Sequence, residues 1–115
     1  MNKEYWHVTR IGNVPSIRAK GLIPQIGANS ESCQEEAPRV YLFTSKDAME
    51  TALAGWLGEL YEDVDELALL RVSLPEQFAS LCTTTEGFEC EATCTKTIPA
   101  EYIEFFDEEY KLLEE

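Results

Sequence analysis

The chain is 115 residues long, which is the size of a single domain covering residues 1–115. It carries 22 acidic residues against 9 basic ones, for a formal net charge of −13. That charge argues against direct binding to nucleic acid or to an anionic membrane, because both present negative phosphates. It suits a basic protein partner or mimicry of a polyanion, although a generally acidic surface explains it equally well.

The chain starts with polar and charged residues, without the apolar segment typical of a secretory signal peptide. No apolar run approaches the length of a membrane span. We therefore expect a cytoplasmic protein whose cysteines, Cys33, Cys82, Cys90 and Cys94, are free thiols. Their spacing predicts no metal site, and Cys90 and Cys94 are expected as small core residues on one strand face.

The stretch around His7, the only histidine, alternates as a β-strand does. Tyr5, His7 and Thr9 share one face, whereas Trp6 and Val8 share the other. An imidazole beside a hydroxyl can bind a ribose hydroxyl or an amide through directional hydrogen bonds. A strand with one partly buried polar face explains the same pattern, so both interpretations stay open here.

A short helix follows, with Asn13 as its N-cap, Pro15 in its first turn and Gly21 at its C-terminal end. Residues 25–39 form a long polar loop, which we expect to border a cleft and to be more mobile than the strands.

The remaining elements alternate between strands and helices. A strand at residues 40–43 precedes a helix that Thr44 or Ser45 caps and that runs to about residue 61, with an inner stripe of Ala48, Ala52, Trp56 and Leu60. Further strands are predicted at 67–74, 88–94 and 102–106, and residues 76–85 fit a helical turn and a loop. An acidic tail, for which helix and coil both stay open, covers residues 107–115.

Three segments place polar or aromatic groups on strand faces. They are His7-Val8-Thr9 with the later Lys20-Gly21-Leu22-Ile23-Pro24; Val40-Tyr41-Leu42-Phe43-Thr44-Ser45-Lys46-Asp47-Ala48; and Glu91 with the later Ile98-Pro99-Ala100-Glu101-Tyr102-Ile103. In this order they resemble the ADP-ribosyltransferase fold, in its His-Tyr-Glu branch. That branch includes poly(ADP-ribose) polymerases and diphtheria-like toxins.

The resemblance implies an α+β fold, a split β-sandwich of two small antiparallel sheets with a few helices around a cleft. It also implies NAD as the substrate. His7 would bind the adenosine ribose with support from Thr9, Tyr41 would stack on the nicotinamide, and Ser45 would bind the nicotinamide amide.

The same resemblance makes Glu91 the catalytic residue that stabilises the oxocarbenium-like transition state as nicotinamide leaves. Glu89, two positions earlier on the same face, mimics the Glu-x-Glu pair of arginine-directed members and could receive a guanidinium. An ordinary surface glutamate is the competing interpretation of Glu89.

The expected activity is therefore mono-ADP-ribosylation of a protein, since the negative charge disfavours RNA and DNA acceptors. The alternative is a non-catalytic acidic protein on the same fold, of the kind that phages and mobile elements use. It would block a basic, nucleic-acid-binding surface of a host protein. An open groove that joins His7, Tyr41 and Glu91 would favour the enzyme.

Overall fold

The structure is a computed structural model that describes residues 2–24, 39–55, 66–80, 82–85 and 88–113. Within these ranges the strands are β1 (Asn2–Arg10), β2 (Val40–Phe43), β3 (Leu67–Pro75), β4 (Cys82–Thr85), β5 (Phe88–Cys94) and β6 (Ile103–Phe106). The α-helices there are α1 (Val14–Lys20), α2 (Lys46–Ala54) and α3 (Glu76–Ala79), with 3-10 turns at Ile11–Asn13 and Ala100–Tyr102. The fold is α+β, as the sequence predicts.

The strands form one antiparallel sheet in the order β4-β5-β2-β1-β3-β6. β1 and β3 pair along their whole length, from Asn2↔Pro75 to Arg10↔Leu67. β1 meets β2 only through the pair Trp6↔Phe43. The prediction of two separate sheets is therefore not confirmed, because this pair joins the three strands on one side to the three on the other.

Both faces of the sheet are covered, and the alternation along β1 explains why. Tyr5, which is 2% exposed, belongs to the core under α1, whereas Trp6, which is 5% exposed, belongs to the core under α2. β3 lies between β1 and β6 and is buried on both faces, as a run that is apolar apart from Arg71 and Ser73 predicts. The sheet is thus the middle layer of the described fold.

Helix α2 begins where the sequence predicts, and of the two predicted caps the structure uses Ser45, whose hydroxyl accepts a hydrogen bond from the Ala48 backbone N–H at 3.0 Å. Ala52 is buried, and Ala48 packs against the same core cluster. The rest of the predicted stripe, Trp56 and Leu60, lies outside the described residues, as do residues 25–38 of the predicted loop over 25–39.

Strand β4 was expected to be part of a loop. It pairs with β5 at the end of the sheet, and its Thr83-Thr84-Thr85 run has the β-branched side chains that favour strands. Cys90 is exposed, so its predicted place in the core is wrong, whereas Cys94 is fully buried.

The C-terminal tail is not helical over residues 107–113. Its turn is held by the Asp107 carboxylate, which accepts hydrogen bonds from the backbone N–H groups of Glu109 and Lys111. The Leu113 N–H then returns to the Phe105 carbonyl at 2.8 Å, so the tail runs back along β6.

None of the helices in the described ranges is long and apolar enough to cross a membrane.

Candidate functional site

A pocket of about 330 Å³ lies where β1 and β2 diverge, beyond the pair Trp6↔Phe43. Among the described residues, it is lined by His7, Thr9, Asn13, Ser16, Ile17, Gly21, Leu22, Ile23, Arg39, Val40 and Tyr41. The lining thus comes from β1, the start of helix α1, the segment after α1, and the start of β2. Its size falls at the lower end of the range for small-molecule sites.

The imidazole of His7 joins the two strands at the pocket wall. Its Nδ1 lies 2.8 Å from the Tyr41 carbonyl oxygen. Because a carbonyl oxygen can only accept, Nδ1 carries the proton and donates. Burial lowers the pKa of His7 from its usual 6.5, while the bond to the Tyr41 carbonyl acts in the opposite direction and is the smaller effect. The ring is therefore neutral at pH 7, and its Nε2 is a hydrogen-bond acceptor.

Thr9 is the one buried polar residue among the described side chains, with 6% exposure. Its Oγ1 accepts a hydrogen bond from Asn13 Nδ2 at 2.9 Å. Asn13 stands at the start of α1, as predicted, but its side chain makes no capping bond to the helix. The Asn13 side chain, predicted to cap the helix, instead donates to the Thr9 hydroxyl. The Thr9 hydroxyl keeps its own proton and can donate it to a ligand.

The charge of the pocket is opposite to that of the protein. Arg39 is the only charged side chain among the described lining residues, and no carboxylate is among them. Ile23 and Tyr41, two of the lining residues, are both large and exposed, at 47% and 42%. This combination suits a ligand with an anionic group and a flat ring.

The structure brings together three of the six predicted site residues, His7, Thr9 and Tyr41. Ser45 is outside the lining, since its hydroxyl caps α2. Glu91 is also outside it and pairs across the sheet with Phe43. Glu89 belongs to β5, but its side chain lies outside the described part of the structure.

Tyr41 is the connection between the pocket and Glu91. In the β2–β5 ladder Tyr41 is opposite Thr93 and Phe43 is opposite Glu91, so Tyr41 and Glu91 are diagonal neighbours on one face of the sheet. Diagonal neighbours are about 7–8 Å apart, within reach of an aromatic side chain. By alternation His7 faces the other side of β1 from Trp6, which shares the face of Phe43. Because Tyr41 and Glu91 share the face of Phe43, the His7 ring lies on the opposite face of the sheet from both of these side chains.

The sequence interpretation missed Asn13 and Ser16 as pocket residues, whereas Arg39 ends the loop that was expected to border a cleft and does line the pocket. Asn13 and Ser16 are three positions apart, which puts them on one side of the first turn of α1. That polar pair beside the buried Val14 and Ile17 was an available signal. No group of three or more His, Cys, Asp or Glu side chains that could hold a metal ion occurs among the described residues.

Comparison with known proteins adds no relative: neither protein-family models, nor curated proteins, nor solved structures give a match to this chain.

Proposed function

We propose that this protein is an NAD-dependent mono-ADP-ribosyltransferase that modifies a protein target and releases nicotinamide. The observation that carries the proposal is the His7–Tyr41 contact in the wall of a pocket free of carboxylates among its described lining residues. The narrow junction between the two halves of the sheet, at Trp6↔Phe43, is consistent with the split sandwich that the family resemblance implies.

Each described residue would contribute a distinct interaction. The neutral His7 ring accepts a hydrogen bond from a ribose hydroxyl through Nε2, and Thr9 donates its hydroxyl beside it. Arg39 is the charge that pairs with the pyrophosphate. Tyr41 stacks on the nicotinamide ring, an interaction worth roughly 0.5–1.5 kcal/mol beyond area burial.

Glu91 would act on the far side of Tyr41. As the bond between nicotinamide and the ribose C1′ breaks, positive charge develops on the ribose, and a fixed carboxylate stabilises it. Nicotinamide leaves with the bonding electrons, and a nucleophilic side chain of the target attacks C1′. Glu89 is the second carboxylate of the proposal, assigned to orient that acceptor.

A second candidate is the non-catalytic acidic binding protein. Glu91 is absent from the described pocket lining, and the net charge of −13 suits a basic surface on a partner. Under this function the His7–Tyr41 contact only shapes the fold, and NAD is not consumed.

NAD binding is the first test. NAD at 100 times its dissociation constant should stabilise the fold by about 2.7 kcal/mol in a thermal-shift assay. His7→Ala and Tyr41→Ala should reduce that shift, because both side chains would contact the ligand, while Glu101→Gln, at an exposed position outside the described pocket lining, should keep it. The absence of a shift at millimolar NAD in the wild type would contradict the enzyme and favour the binding protein.

Single-turnover transfer of labelled ADP-ribose tests the chemistry. Glu91→Gln keeps the side-chain shape but removes the charge, so it should slow transfer by roughly two to three orders of magnitude and leave NAD affinity nearly unchanged. Glu101→Gln again serves as the matched control. Transfer by Glu91→Gln at the wild-type rate would refute the catalytic role of Glu91 and make Glu89 the candidate for that role.

A further inference from the structure

Two cysteines face each other across the outer strands of the sheet. Cys82 begins β4 and Cys94 ends β5, and the strand register makes them direct partners. Directly opposed residues in an antiparallel pair have Cα atoms about 4.5–5.5 Å apart. A disulfide needs a Cα separation of about 4.4–6.8 Å, so the backbone already has the required spacing.

As direct partners, the two side chains also lie on the same face of the sheet. The Cys94 thiol donates to the Lys96 carbonyl, with sulfur and oxygen 3.4 Å apart, and Cys94 lies close enough to Cys82 to raise the pKa of its thiol. Cys94 is fully buried, whereas Cys82 is partly exposed. An oxidant therefore reaches Cys82 first, with Cys94 positioned behind it.

The surroundings of the pair make its reaction with an oxidant slow. Burial, followed by the neighbouring Cys94, raises the pKa of Cys82 to about 12, while Lys3 acts in the opposite direction. Tyr5 on β1 is the other titratable neighbour of both thiols. Because the thiolate is the reactive form, exchange at neutral pH is slow without being blocked.

We propose that Cys82 and Cys94 form a cross-strand disulfide on reaction with a disulfide oxidant, and that this bond ties β4 to β5. The Cys82 thiolate attacks one sulfur of the oxidant, which gives a mixed disulfide and releases one thiolate. The Cys94 thiolate then attacks the Cys82 sulfur and releases the second thiolate. Two electrons pass to the oxidant, and the two thiol protons pass to solvent or to the released thiolates.

The bond would reinforce the half of the sheet that supports the pocket. Cys94 is opposite Val40, a pocket-lining residue of β2, so the locked pair lies one strand away from the pocket. The cross-link also reduces the number of conformations that the unfolded chain can adopt between residues 82 and 94. This inference does not rest on NAD binding, and its test is independent of the proposed function.

The test uses the full chain with Cys33→Ser and Cys90→Ser, which leaves Cys82 and Cys94 as its only thiols. The folded protein is incubated with oxidised glutathione at mildly alkaline pH, alkylated, and analysed by intact mass and thermal unfolding. We expect a monomer with no alkylated thiol and no glutathione adduct. Its Tm should be about 5–10 °C above that of the reduced protein.

The matched control adds Cys82→Ser to the same background, so that only Cys94 remains. This variant cannot close the bond, and its Tm should be the same with and without oxidant. Two alkylated thiols in the folded background protein, a persistent glutathione adduct, a covalent dimer, or closure without a rise in Tm would each overturn the proposal.

Discussion

His7 connects two strands through its ring at the place where their backbone pairing ends. β1 and β2 are paired at Trp6↔Phe43, and the imidazole Nδ1 continues the connection by donating to the Tyr41 carbonyl. The alternation around His7 predicted which way the ring faces. The Thr9–Asn13 bond was not predictable in the same way, because Asn13 is equally suited to capping the helix that follows it.

The lowered pKa of His7 predicts a specific dependence of stability on pH. In the unfolded chain the histidine binds a proton as the pH falls below about 6.5, whereas the folded protein resists protonation until a lower pH. The unfolded state then binds more protons, so this contribution to stability is complete above 6.5 and is lost as the pH falls towards the folded pKa.

The measurement is the free energy of unfolding between pH 7.5 and pH 5, compared between wild type and His7→Asn. Asparagine keeps an N–H donor near the position of Nδ1 but does not titrate. The wild type should lose more stability than the variant across this range, and the carboxylates common to both cancel in the difference. Equal slopes would mean that the folded state does not depress the pKa of His7.

The elements differ in how well the sequence predicts them. β2 and β5 have the predicted bounds, because turn residues flank short runs of alternating polarity. β4 was missed because a four-residue edge strand is stabilised by its neighbour β5, and its own sequence carries no apolar alternation. The tail was ambiguous for a similar reason: its path depends on the Asp107 turn and on the return of Leu113 to Phe105.

Gly21 ends helix α1 at the point where the chain must pass close to residue 98. Its φ of +80° is disfavoured for residues with a Cβ, and a Cβ here would collide with the Ile98 carbonyl oxygen. Leu22 and Ile98 exchange backbone hydrogen bonds of 2.9 Å in both directions. The close approach therefore fixes the direction in which the chain leaves α1 along the pocket.

Gly21→Ala should lower the free energy of unfolding by about 2–6 kcal/mol, the sum of backbone strain and overpacking. Urea denaturation measures it, with Gly12→Ala as the control. A Cβ at Gly12 meets nothing within 4 Å, so that variant should change stability far less. If the two variants lower the free energy of unfolding equally, the Ile98 segment has moved away to accept the methyl group. The close approach of Gly21 to Ile98 would then not constrain the fold.

At the scale of the whole molecule, repulsion among the excess negative charges destabilises the folded state. The chain carries 22 acidic and 9 basic residues, and folding concentrates that excess into a small volume. The described ion pairs, Arg71 with Glu104 and Glu4, and Lys111 with Glu109, are all at exposed positions. Exposed pairs contribute roughly 0–1 kcal/mol each, which is too little to offset repulsion among the remaining carboxylates.

Added salt should therefore stabilise this protein, because screening weakens the repulsion more than it weakens the few exposed pairs. The Debye length falls from about 30 Å at 0.01 M to about 3 Å at 1 M, so most of the change should occur below about 0.3 M. The measurement is Tm against sodium chloride concentration at pH 7.5, where we expect a rise of several degrees. Arg71→Gln removes a cation and should steepen the rise, whereas Glu108→Gln, at an exposed position, should flatten it. A Tm that falls with salt in the wild type would show that attraction between opposite charges outweighs the excess of negative charge.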